Sequence, residues 1–215
     1  MTKPAHKRMY NAIAGTSVER LAALSDGVFA VAMTLLVLEL HAPGVEIVHS
    51  EQDLWQGLVH LAPRLLMWVM SFLTLGIFWV GQQTQLNHLE RSNRDLTWIH
   101  LGFLLAVSMV PFSTSLLAQF ISFRNALLVY WLNILVLGTT LYLSWVCAIG
   151  GSLVKADMPL QVSSAIKRRI VIAQALYAVG AALAFVDARW SIALIVLVQL
   201  NYVFALAFAG RGATE

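Results

Sequence analysis

The sequence predicts an all-α polytopic membrane protein of six transmembrane helices with both termini in the cytoplasm. Three observations carry that prediction. Of 215 residues, 59% are hydrophobic and only 12% are Asp, Glu, Lys or Arg, against roughly 25% charged in a soluble domain. So few charges cannot coat a soluble globule of this size, and so much apolar content excludes a disordered chain. The apolar residues also gather into six stretches, nearly all close to the ~20 residues that a helix needs to cross hydrocarbon. Helices are required because lipid cannot satisfy an open backbone, and the two-residue alternation of a membrane barrel strand is absent.

The first stretch, 21–40, reads LAALSDGVFAVAMTLLVLEL. It follows a polar start, 1–19, expected to be a cytoplasmic tail and not a cleavable signal. The second covers 61–83, with an amphipathic approach from Leu54 and with Arg64 placed to snorkel to the interface. The third, 96–120, contains Pro111. Proline there frees a carbonyl near Val107 and predicts a kink, with Ser108, Ser113, Thr114 or Ser115 able to compensate. The fourth, 126–149, holds the lone cysteine, Cys147, which reads as a small buried hydrophobe. The fifth, 170–186, is short and stops at Asp187, and the sixth, 190–209, starts at Trp190. Trp55, Trp98 and Trp190 lie where an interfacial aromatic belt is expected. Asn133, Gln174, Gln199 and Asn201 are uncharged polar groups within spans, expected to hydrogen-bond between helices. No linker or internal repeat divides the chain, so 1–215 reads as a single six-helix transmembrane domain.

Sidedness follows from the cations. Lys3, Lys7, Arg8, Arg91, Arg94, Lys155, Lys167, Arg168, Arg169 and Arg211 fall on one side, joined by Arg20 at the entrance to the first span. The other side holds Arg124 and Arg189, with Arg64 near the start of the second span. The 41–57 loop carries Glu46, Glu51 and Asp53 with no Lys or Arg. The positive-inside rule therefore puts both termini in the cytoplasm. In a soluble protein a net charge of +3 would raise the question of nucleic acid. Here the lipid bilayer is the expected partner, and no nucleic acid is.

Chemistry concentrates at the start of the first span, in Glu19-Arg20-Leu21-Ala22-Ala23-Leu24-Ser25-Asp26-Gly27. A carboxylate within an apolar span is costly, so Asp26 signals function or assembly. Arg20 and Asp26 lie about 240° apart around a helix, so each needs partners on other helices. His88, Asn93, Asp95 and His100 are the candidates near the same end. Gly27 permits close helix approach. Beyond Asp26 the helix is uncharged until Glu39, and Gly27, Val31, Thr34 and Leu38 share one face. In a single chain that face packs against a neighbour. Around a symmetry axis it would line a pore of apolar rings and one hydroxyl ring. The six histidines, His6, His41, His49, His60, His88 and His100, are scattered without metal-binding spacing. Neither an HExxH motif nor a paired-carboxylate site is present. An enzyme and a resident cofactor or metal are therefore not expected.

Arg20-x-x-x-Leu24-Ser25-Asp26-Gly27 resembles the Arg-x-x-x-Phe-Ser-Asp-Gly signature of the prokaryotic members of the transmembrane protein 175 family, relatives of the lysosomal potassium channel. The resemblance continues through VFAVAMTLLVLEL, Phe78-Trp79, Asp95-x-x-Trp98 and Val110-Pro111-Phe112-Ser113-Thr114. It implies a potassium-preferring cation channel in the cell's inner (plasma) membrane. The channel is a homotetramer with the first span of each subunit lining the pore, and potassium is the permeant ion beside other monovalent cations. By the same resemblance Val31 and Leu38 are apolar constrictions and Thr34 is the hydroxyl ring for selectivity. Arg20, Ser25, Asp26 and Gly27 form the motif network that holds the pore helix. Three departures stand out. Leu24 replaces the usual Phe, Val31 is smaller than the usual Ile or Leu, and Gln82 and Gln83 stand where the family often has histidine. Glutamine can hydrogen-bond but cannot take a charge near neutral pH. No T-V-G-Y-G filter and no arginine-rich sensor helix occurs. The other reading of the same residues is a secondary transporter or proton-coupled carrier in which Asp26 titrates.

Overall fold

Helix α1, Val18–Leu35, begins where Ser17 caps it by accepting the Arg20 N–H at 3.2 Å, with Glu19 favourably placed in the first turn. It tightens into a 3₁₀ turn over Leu36–Glu39 and ends at extended Leu40. The structure is a computed structural model that describes residues 17–46 and 48–209, with the backbone alone at 160, 188–189 and 203–209. Lys3, His6, Lys7, Arg8, Arg211 and the Arg189 side chain lie outside the described residues.

The amphipathic approach to the second span is a separate helix, α2 (Glu51–His60), capped by Ser50. The Ser50 hydroxyl, with the His49 N–H that Asp53 accepts in the first turn, holds the Asp53 carboxyl below the usual carboxylate range. Helix α3, Ala62–Asn87, follows after Leu61. The third expected stretch is two helices, α4 (Arg94–Ser108) and α5 (Val110–Gln119), divided at Met109. Asn93 caps α4 by accepting the Leu96 N–H at 2.8 Å. Helix α6 runs Arg124–Gly150, α7 Leu160–Leu183 and α8 Ala188–Ala209. Among the described residues no strand forms, and one antiparallel bridge joins Leu89 to Val154.

By length and apolarity four helices can cross a membrane: Val18–Glu39, Ala62–Asn87, Arg94–Gln119 and Arg124–Gly150. The protein is therefore a multi-pass membrane protein. The fifth stretch differs from the expected 170–186. Its helix starts at Leu160 and takes in Lys167, Arg168 and Arg169, because nothing in 160–169 stops a helix once Pro159 has started it. The sixth contributes Trp190–Tyr202 as a shorter apolar helix.

The α4 and α5 pair packs along α6, α7 packs on both α6 and α8, and α3 touches α1, α5, α6 and α8. The main core joins Phe29, Leu36, Met67, Phe78, Phe103, Tyr130 and Tyr177. A smaller one at the end where α1 begins joins Leu86, Leu96, Trp145 and Leu153. In lipid such packing is driven by van der Waals contact and interhelical hydrogen bonds, since lipid is as apolar as the core. The polar groups show how this works. Ser71, Thr74, Thr114 and Tyr130, all buried, join α3, α5 and α6 through hydroxyl contacts of 2.7–3.2 Å. The Gln199 amide of α8 donates to Thr74 at 2.6 Å.

At the break the Met109 N–H reaches the Leu105 and Ala106 carbonyls, each at 3.2 Å, and another helix adds a further donor. Of the hydroxyls expected to compensate for Pro111, Ser108 donates to the Leu105 carbonyl at 2.7 Å, Ser113 and Thr114 donate to the Val110 carbonyl at 3.0 and 2.7 Å, and Ser115 donates to Glu39. The Ala106 carbonyl is taken by the Asn133 amide of α6 at 3.0 Å, and the Ser113 hydroxyl lies 3.2 Å from the same amide's oxygen. The kink is thereby clamped to α6.

Candidate pore helix and its anchoring network

Around α1 the residues divide cleanly. Leu21, Ser25, Phe29, Ala32 and Leu36 are buried. At about 100° per residue they form one stripe, and Gly27, Val31, Thr34 and Leu38 form another about 150° away. That second face is open: Val31 is 58% exposed and Leu38 65%, with Thr34 and Gly27 also exposed. In its most apolar window α1 is only 28% buried, against 39–50% for the other three candidate spans. A wide apolar groove of about 490 Å³ runs beside this face, bounded by Leu24, Gly27, Val31, Leu35 and, across it, Ser108 of α4. A Cβ on Gly27 would meet nothing within 4 Å, so the close approach expected there does not occur within one chain.

The adjacent residues Ser25 and Asp26 point to two neighbouring stripes of α3. Phe78 and Gln82 lie on one, and Trp79 and Gln83 on the next, each pair four residues apart. Ser25 is fully buried, and its hydroxyl lies 2.8 Å from both the Leu21 carbonyl and His100 Nε2 of α4. The Gln82 amide nitrogen sits 2.6 Å from Ser25 Oγ and 2.6 Å from His100 Nε2. One polar triangle thus ties α1, α3 and α4 together. Asp26 Oδ1 accepts both the Trp79 indole N–H and the Gln83 amide, each at 2.8 Å. Two donors from α3 converging on one oxygen tie α1 to α3 at this point.

These partners differ from those expected. Of His88, Asn93, Asp95 and His100, only His100 joins the motif, and it meets Ser25 and not Asp26. His88 is taken by the Thr84 carbonyl and Asn93 by its own cap. Arg20 lies exposed in the first turn, with its backbone N–H on Ser17. Trp79, Gln82 and Gln83 were legible only as a resemblance and a departure from it, although their spacing does place them on adjoining faces.

Thr34 sits midway along the open face. Its hydroxyl lies 2.9 Å from the carbonyls of Ala30 and Val31. The proton is therefore used by the helix backbone, and the oxygen lone pairs stay open on the exposed face. Glu39, at the end of α1, is half-buried and accepts the Ser115 hydroxyl of α5 at 2.6 Å. It therefore braces the helix from behind and does not extend the open face. Among the described residues no cluster of His, Cys, Asp or Glu could hold a metal ion.

Known proteins resemble this chain in sequence and in fold. The family model described as endosomal/lysosomal potassium channel TMEM175 matches residues 20–111, which include the motif, Trp79, Gln82, Gln83 and His100. A protein of Streptomyces collinus named as a potassium channel is 30% identical over 190 residues, 86% of this chain and 91% of that protein. A potassium channel of Chamaesiphon minutus is 36% identical over 102 residues, 47% of this chain and 50% of that one. Among solved structures, the crystal structure of a lysosomal potassium-selective channel TMEM175 homolog from Chamaesiphon minutus superposes with a TM-score of 0.77 at 28% identity. That superposition covers 87% of this chain and 97% of that chain. With a relative matched over nearly its whole length and the same fold over most of the chain, this protein belongs to the TMEM175 family.

Proposed function

We propose that this chain is one subunit of a potassium-preferring cation channel, with potassium as the permeant ion and other monovalent cations passing less readily. The observation that carries the reading is the open face of α1. One apolar stripe of this helix is sunk into its own subunit, and the Gly27–Val31–Thr34–Leu38 face is left uncovered. Four copies about an axis would cover that face by enclosing it, giving a homotetramer with the first span lining the pore. Val31 and Leu38 would then be apolar rings that close by steric contact or dewetting. Thr34 would present a ring of hydroxyl oxygens with their protons already committed to backbone. Selectivity from such a ring is modest, because it strips only part of an ion's hydration. The names of the Streptomyces collinus and Chamaesiphon minutus relatives support potassium as the ion.

In this reading α7 and α8 complete six spans, at 24 and 22 residues. Lys167, Arg168 and Arg169 then lie on the cytoplasmic side with Arg91 and Arg94, both termini are cytoplasmic, and the membrane is the cell's inner (plasma) membrane. No cofactor takes part and no nucleic acid is bound. Asp26 serves as a fixed brace. A proton-coupled carrier would need its carboxylate to exchange protons with each side in turn, and the two N–H bonds from α3 favour immobility instead.

Reconstitution in a planar bilayer tests this. Potassium gradients should drive discrete single-channel current steps, and Val31→Trp should abolish them while the protein still assembles. Saturable flux without resolvable steps would favour the carrier. Steps indifferent to Val31→Trp would put the constriction elsewhere.

A further inference from the structure

Where α1 ends, the chain encloses a small cavity behind the candidate pore helix. It measures about 190 Å³ and is lined by Glu39, His41, Arg64, Trp68, Ser115 and Gln119, among others. Glu39 and Arg64 share this cavity without forming an ion pair. Each also stands at the unfavourable end of its helix. Glu39 closes the 3₁₀ turn after α1, where carbonyl ends make the local field negative. Arg64 is in the first turn of α3, where free N–H groups make it positive. An acid at a C-terminus and a base at an N-terminus each gain from a partner of opposite sign. The acidic pole is also preset: the Gln119 amide donates to Ser115 Oγ at 3.0 Å, and the Ser115 hydroxyl donates to Glu39 Oε2 at 2.6 Å. This leaves Oε1 as the oxygen for a ligand. Trp68, whose buried indole N–H has no partner among the described residues, forms part of the same wall.

From this cavity we infer a binding site for a zwitterion carrying a primary ammonium and a phosphate, supplied as the headgroup of a phosphatidylethanolamine-type lipid. The ammonium seats on Glu39 with three N–H donors, and the phosphate seats on the Arg64 guanidinium, which suits its oxygens bidentately. Lipid is the source because the cavity opens at the level where α1, α3 and α5 finish or begin, which is headgroup depth for helices that span the bilayer. Its volume also lies below the ~300–1,000 Å³ of pockets that take drug-sized ligands. The site does not depend on the channel reading, because occupancy can be measured without flux.

The test is lipid retention. Full-length protein is reconstituted in vesicles holding equal amounts of phosphatidylethanolamine, phosphatidylcholine and phosphatidylglycerol, then extracted in mild detergent. Retained lipid is counted by mass spectrometry. The wild type should enrich phosphatidylethanolamine about tenfold over phosphatidylglycerol, and several-fold over phosphatidylcholine, whose quaternary ammonium has no N–H to give. Glu39→Gln preserves an acceptor for Ser115, and Arg64→Gln changes an exposed residue, so both should fold. Each should bring the enrichment close to that of the bulk vesicle. Equal retention of the three lipids by the wild type, or undiminished enrichment in both variants, overturns the site. Retention unchanged by millimolar free phosphoethanolamine supports the lipid source, and displacement by phosphoethanolamine overturns it.

Discussion

Thr34 is the residue on which ion preference should turn. Its oxygen faces the open side of α1 while its proton is spent on the Ala30 and Val31 carbonyls, so the side chain offers an acceptor and no donor. Removing a hydroxyl contact of about 1 kcal/mol corresponds to about a fivefold change in an equilibrium ratio. Thr34→Val keeps the shape and loses the oxygen. The potassium-to-sodium permeability ratio, read from bi-ionic reversal potentials, should fall by about that factor, and an unchanged ratio would remove Thr34 from selectivity. Asp26 should behave in the opposite way. Asp26→Asn retains one oxygen for the Trp79 and Gln83 N–H groups but loses the charge that strengthens both bonds. Hydrogen bonds to charged groups contribute about 1.5–3 kcal/mol against about 0.5–1.5 for neutral ones. The expected outcome is a lower melting temperature in detergent with the permeability ratio intact.

At the scale of the element, the break between α4 and α5 is the informative feature. Pro111 made a kink legible in the sequence, but the group that repairs it was not. Neighbouring hydroxyls were the obvious candidates because they are close in sequence. Asn133, on a different helix and 27 residues from Ala106, supplies a donor to the Ala106 carbonyl beside the Met109 N–H. Interhelical hydrogen bonds in membranes average about 0.6 kcal/mol and reach about 1.7, and Asn133 makes contacts on both sides of its amide. Asn133→Leu should therefore lower the melting temperature by a few degrees without unfolding the protein. In a Pro111→Ala background the loss should shrink, because a continuous helix brings the Val110 N–H to the Ala106 carbonyl. Additive losses in that double-mutant cycle would show that the clamp and the break are unrelated. The fifth stretch teaches a related lesson. Hydropathy marked only the apolar half of α7, since charge does not end a helix and Lys167, Arg168 and Arg169 continue the same backbone ladder.

At the scale of the whole molecule, coverage is uneven among the candidate spans. The least covered of them is the first, where the family match begins at Arg20. The helix is braced on one side by Ser25, Asp26 and Glu39 and bare on the other, which is what the proposed homotetramer requires. Purified protein in mild detergent should have the mass of four chains by light scattering or native mass spectrometry. A stable monomer that conducts would sink the shared pore.

Composition and charge placement determined the class by themselves. Hydrocarbon excludes polar backbone and charge so strongly that 59% apolar residues leave little choice besides spanning helices. The motif in α1 was equally legible, because a carboxylate in such a setting has few explanations. What the tertiary structure alone decided was partnership. Ser25 is met by Gln82 and His100, 57 and 75 residues away, and no local pattern reports which helices lie side by side. It also decided which face of α1 is covered. Periodicity marks a face, but burial belongs to the neighbours, and only the fold sets Phe29 and Leu36 against a core while leaving Val31, Thr34 and Leu38 open.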